Sequence, residues 1–142
     1  MIQAKALTIR CFFHWLSRSP KLSVAATTFL AHRTLAGFGW HCRAEKLITQ
    51  KLDEIFPGHG IVTSDVVADL PIGKRQMFEV ARAFTQTSDP LTLVILDEPT
   101  SALDSHSTCQ LLAFKRHSLK SGTRLFVISH LLGAFLCYQD TM

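Results

Sequence analysis

The chain alternates amphipathic stretches with short oily runs. In "RAEKLITQKLDEIF", residues 43–56, Leu47, Ile48, Leu52, Ile55 and Phe56 recur at helical spacing with Lys and Glu opposite. That pattern predicts an amphipathic helix, which "PGHG" ends. In "DLPIGKRQMFEVARAF", residues 69–84, Met77, Val80, Ala81 and Phe84 fall at i, i+3, i+4 and i+7. Pro71 suits a first helical turn, so the spacing predicts a helix from residue 71 or 72 to about Thr87. "LTLVIL", residues 91–96, and "TRLFVI", residues 123–128, are almost wholly apolar and read as strands. Between them a helix is predicted over Ser105–Leu119, with Leu111, Leu112 and Phe114 on its apolar side and Gly122 stopping it. Earlier, "ALTIRCFF" reads as a strand, "LSVAATTFLAHRTL" has helical character and "GFGW" reads as a loop. Helices alternating with near-continuous apolar strands predict an α/β fold, a parallel sheet covered on both faces.

The strand over 91–96 ends abruptly in Asp97 and Glu98, followed by Pro99. Ligands of open α/β sheets bind beyond the carboxyl ends of the strands. Asp97, Glu98 and His130 all stand at such ends. Side chains alternate along a strand, so the two acids are expected to start on opposite sides and do different work. Adjacent carboxylates at a strand tip are costly unless a cation is near. Mg²⁺ carrying a nucleotide phosphate is the natural candidate. The other reading open at this point is that both acids cap the next helix and face water.

Composition narrows the picture. The 142 residues fit one domain, and 47% are apolar, enough for a core. No apolar run approaches the roughly 18 residues of a membrane-spanning helix. Net charge is +4, but residues 1–44 hold six Lys or Arg and no acid, while the remainder is near neutral. Such a start also fits a transit peptide. The basic excess has no nucleic-acid-binding motif around it, so no nucleic-acid partner is expected. Cys11, Cys42, Cys109 and Cys137 are widely spaced, which argues against zinc and predicts reduced, mostly buried thiols.

"LVILDEPTSALD" closely resembles the Walker B strand and D-loop of ABC-type ATPases. "DLPIGKRQMFEVARAF" lies upstream at the family's distance and resembles its signature motif and following helix. "LFVISH" resembles the strand that carries the switch histidine. "QMFEVARAF" and "LSVAATTFL" more narrowly resemble ATPase subunits of sugar importers. The resemblance implies a partial P-loop NTPase-like domain. A helical and signature part would span about 20–88, and Walker B, D-loop and switch-histidine parts 89–142. By the same resemblance Asp97 would hold Mg²⁺ through water, Glu98 would polarise the attacking water as general base, and His130 would contact the γ-phosphate. Ser101, Ala102, Leu103 and Asp104 would form the D-loop. Gly73 and Lys74 would present the signature helix start to ATP held by a partner domain, a role that suits the positive end of a helix dipole. His14 stands near the family's Mg²⁺-sensing glutamine; a plain, partly buried histidine is the alternative.

The implied function is the ATP-binding and hydrolysing subunit of an ABC-type importer, with sugars as the expected cargo. Its cofactors would be ATP and Mg²⁺, and its partners a second ATPase domain and a transmembrane permease subunit. Its place would be the cytoplasmic face of the plasma membrane. The pattern also departs from the family. None of the seven glycines opens a G-x-x-x-x-G-K-[ST] P-loop, so an N-terminally truncated domain is expected. Pro71 and Ile72 replace a signature Ser and Gly, removing a hydroxyl and a close backbone approach. Each charge-assisted phosphate bond lost is worth roughly 1.5–3 kcal/mol, so weak ATP affinity and negligible turnover are expected. Without further strands, the 91–96 strand is expected to show unpaired edges. The alternative function is a non-catalytic pseudo-ATPase fragment or decayed gene product. A DNA-repair type ABC ATPase would bring coiled-coil heptads that do not occur here, and a metal-dependent hydrolase would leave the signature helix unexplained.

Overall fold

A computed structural model describes residues 8–12, 21–87, 91–120 and 124–128. Its three strands are β1 (Thr8–Phe12), β2 (Leu91–Asp97) and β3 (Arg124–Ile128). They form one parallel sheet in the order β1-β2-β3. β2 is therefore the central strand, hydrogen-bonded on both sides, and not the exposed edge that the sequence suggested. Ile95 lies between Cys11 and Phe126, and Asp97 is paired with Ile128 at the carboxyl end.

Among the described residues, four α-helices lie in the connections: α1 (Val24–Ala31), α2 (Trp40–Ile55), α3 (Ile72–Phe84) and α4 (Ser105–Lys120). Ser23 starts α1 by accepting the Ala26 N–H on its hydroxyl, an ordinary N-cap. Residues 22–25 then meet 63–67 in a short backbone clip. Val24 N donates to Asp65 O, Ala25 N to Thr63 O, and Val67 N to Leu22 O. Gly37 and Gly39 both have positive φ, and the Arg43 guanidinium binds the Leu35, Ala36 and Phe38 carbonyls. The loop predicted at "GFGW" is thus shaped by its glycines and pinned by one cation.

Helix α2 buries Ala44, Ile48, Leu52 and Ile55 and leaves Leu47 only half-buried. In the turn after it, His59 accepts the Ile61 N–H on Nδ1, so Nε2 carries the hydrogen and donates to Asp53 at 3.0 Å. Helix α3 starts at Ile72, as predicted, but stops at Phe84. Thr85 takes extended backbone and meets His32 Nε2 at 2.6 Å.

The core joins Val24, Ile48, Leu52 and Phe56 to Phe78, Val80, Phe84, Val94, Leu96 and Phe114. Each fully buried large side chain here contributes about 1.5–3 kcal/mol. Phe84 of α3 meets Phe114 of α4 edge-on, with ring centroids 5.0 Å apart. Both helices therefore cover the sheet face that carries Val94 and Leu96. The alternate residues Leu93 and Ile95 are half-buried, less covered than Val94 and Leu96. Cys42 and Cys109 are exposed thiols, against the expectation of burial. Among the described residues, no helix is long and apolar enough to cross a membrane.

Candidate functional site

The site grows from the carboxyl end of β2. Because the strands are parallel, Asp97 stands on the same rim as the end of β3. Glu98 follows, but the strand's alternation does not run through it. Its φ is +46°, the only positive φ at a non-glycine residue among those described. That conformation costs about 1–2 kcal/mol in an L-residue and persists only where surroundings enforce it. Two backbone contacts help to do so. Glu98 N donates to Ile128 O at 2.7 Å, and Glu98 O accepts from Ser101 N at 3.2 Å. The two acids therefore differ in backbone state, and both are half-buried.

A third contact comes from α3. Gln76 is 6% exposed, and its Nε2 donates to Glu98 O at 2.8 Å and to Ser101 Oγ at 3.3 Å. Its Oε1 accepts the Ala102 N–H at 2.7 Å. One turn earlier, Gly73 abuts the same loop: a Cβ there would stand 3.1 Å from Ala102 O. The start of α3 and the 98–102 turn are thus seated against each other. The hydrophobic spacing of α3 did not mark Gln76, because a buried polar residue is silent in such a pattern until its partner is known.

The first turn of α3 has no side-chain cap; Pro71 precedes it and offers no hydroxyl. Such a terminus leaves N–H groups for an anion. Lys74, in the same turn, donates from Nζ to Gly60 O at 2.9 Å. Asp104 accepts the Ser107 N–H at 2.7 Å and its carbonyl takes the Thr108 N–H, so it caps α4. The Ser107 backbone bond holds its carboxyl below the usual carboxylate value. The helix-capping role left open for Asp97 and Glu98 therefore falls to Asp104. Ser101 lies exposed at the turn. His14 and His130 lie outside the described residues.

The donor set can be tested against Mg²⁺ and a nucleotide. Among the described residues, no group of three or more His, Cys, Asp or Glu could hold a metal. Mg²⁺ bound with phosphates needs only one or two carboxylates and keeps its waters, and Asp97 on the rim meets that need. The uncapped start of α3 suits a phosphate. These residues fit one side of a magnesium–nucleotide site. They do not include a glycine-rich loop to wrap the phosphates.

A parallel sheet, helices on its covered face and an α3 start locked to the strand-tip turn define the class: an ATP-binding cassette fold. Two solved dimeric structures of one bacterial ABC transporter cassette superpose with TM-scores of 0.74 and 0.68, covering 92% and 90% of this chain and 56% and 54% of that cassette. At 19% and 20% identity they speak for the fold alone. The chain belongs to the ATP-binding proteins of ABC transporters, and its relatives include those of sugar import. It is 34% identical over 127 residues to ribose import ATP-binding protein RbsA 1 of Rhizobium etli, covering 89% of this chain and 24% of that protein. It is 31% identical over 145 residues to RbsA of Halalkalibacterium halodurans, covering 99% of this chain and 28% of that protein. A putative ribose/galactose/methyl galactoside import ATP-binding protein of Agrobacterium fabrum is 30% identical, covering 96% and 27%. The chain thus spans about a quarter of the length of these curated relatives. No protein-family model matches it.

Proposed function

We propose that these residues are the signature, Walker B and D-loop part of the ATP-binding subunit of an ABC-type importer, with a sugar as cargo. The observation that carries the proposal is the seam between α3 and the strand tip, where Gly73 and Gln76 meet Ala102 beside Glu98. It puts an uncapped helix start and an acid pair on neighbouring elements. In this reading Asp97 holds Mg²⁺ through water, and the bound ion would neutralise charge on the phosphoryl oxygens. Glu98 accepts a proton from the attacking water, and His130 contacts the γ-phosphate. The start of α3 at Gly73 faces the nucleotide of a second ATPase domain, and residues 101–104 line that junction. Lys74 acts by anchoring α3 to the Gly60 turn. A permease subunit would receive the work at the cytoplasmic face of the membrane.

Hydrolysis by these 142 residues alone is expected to be negligible, since they contribute no phosphate-wrapping loop. Binding is therefore the test. Phosphorus NMR of ATP titrated with the chain should show weak line broadening that Mg²⁺ strengthens, and Asp97→Asn should remove the Mg²⁺ effect. Undiminished Mg²⁺ dependence in Asp97→Asn would take the metal role from Asp97. Micromolar affinity would overturn the expectation of weak binding.

A further inference from the structure

We propose that Gln76 is a positioning residue for Glu98, so that the register of α3 sets where the Glu98 carboxyl is aimed. The proposal rests on the reading of Glu98 as the group that activates water, and it deepens that reading. Gln76 uses both ends of its amide. The Nε2 end holds the Glu98 carbonyl at 2.8 Å, and the Oε1 end holds the Ala102 N–H at 2.7 Å. Glu98 and Ala102 are four residues apart, so one buried side chain fixes both ends of the turn between them. The Glu98 N–H is already held by Ile128 O. With its carbonyl held as well, the backbone at Glu98 is gripped on both flanking peptides, which is what a left-handed glutamate needs.

The grip is directional because Gln76 sits one turn after Gly73 on the same helix. Gly73 lies so close to the turn that a Cβ there would stand 3.1 Å from Ala102 O, tighter than an ordinary contact. A shift of α3 along its axis would therefore press on the turn. It carries Ala102 through the glycine contact and Glu98 through the amide. An apolar side chain of equal size at 76 would fill the same space and lose both bonds. A glutamate would keep the acceptor for Ala102 and lose the donor for Glu98.

That difference makes the test. Two observables are followed by NMR in the nucleotide-free full chain: exchange of the Ala102 amide, and the Glu98 Cα and Cβ shifts, which report its backbone angles. In Gln76→Leu the Ala102 amide should exchange at least tenfold faster, and the Glu98 shifts should move away from left-handed values. In Gln76→Glu the Ala102 amide should stay protected while the Glu98 shifts still move. This split separates positioning from general support of the fold, which would loosen both observables together. If Gln76→Leu does not fold, Gln76→Glu decides alone. Glu98 shifts that stay at wild-type values in Gln76→Glu overturn the proposal. Because the readout needs no nucleotide, it stands or falls separately from the nucleotide-binding test with Asp97→Asn.

Discussion

Glu98 has a Cβ where a glycine would be comfortable, and this can be measured. The perturbation is a pair of substitutions, Glu98→Ala and Glu98→Gly. Both delete the carboxylate and every contact it makes, so their difference isolates the backbone. At an ordinary helix or strand position alanine is favoured over glycine by about 0.5–1 kcal/mol, because glycine loses more freedom on folding. At φ +46° the alanine Cβ instead costs about 1–2 kcal/mol. Subtracting the first from the second leaves glycine ahead by roughly 0.7 kcal/mol. The usual order is thereby inverted. Urea denaturation should show the higher midpoint for Glu98→Gly, with an unchanged slope. In thermal unfolding the gap should be about 2–3 °C for a chain of this size. An alanine variant as stable as the glycine variant, or more so, would refute the reasoning and remove backbone strain from the account of this turn. A glycine that stabilises the fold while deleting the carboxyl would mark Glu98 as a residue kept for chemistry at the expense of stability.

Two further outcomes are expected. Phe78 is fully buried beside the α3 seam, so Phe78→Ala should cost about 3–5 kcal/mol in urea denaturation. The fully exposed Phe38→Ala should stay within about 0.5 kcal/mol, and equal costs for the two would contradict the core described above. The capping bonds from Ser107 depress the Asp104 carboxyl, so its ionised form adds stability above the ordinary carboxylate value of 3.8. That stability should fade as pH falls below 3.8 through the depressed value, and Asp104→Asn should flatten this part of the stability–pH curve. An unchanged acid limb in Asp104→Asn would mean that another carboxylate carries it.

The elements were largely legible in the sequence, and the joints between them were not. Apolar spacing marked the body of α2 and α3 and the oily run of β2. The end of α3 was placed three residues too late. Its stop comes from extended backbone at Thr85 and a contact with His32, 53 residues away, which local periodicity does not encode. The central place of β2 depends on two partner strands whose pairing no single segment announces. At the site, the motif letters marked Asp97 and Glu98. The left-handed turn at Glu98 was hidden because glutamate, not glycine, occupies it. Gln76 was hidden for a related reason: its worth lies in backbone groups 22 and 26 residues further on. The bond from Lys74 Nζ to the Gly60 carbonyl was equally hidden, because it joins α3 to a turn 14 residues earlier.

The excursion from Ser23 to Val66 closes at its own base, where backbone bonds join 22–25 to 63–67. It nonetheless has no private interior. Val24, Ile48 and Leu52 share one continuous packing with Val94 and Leu96 of the strand that ends in Asp97. Packed side chains are nearly incompressible. A push delivered to the outer helices has no soft layer in which to dissipate, and it reaches the acid-bearing strand as displacement.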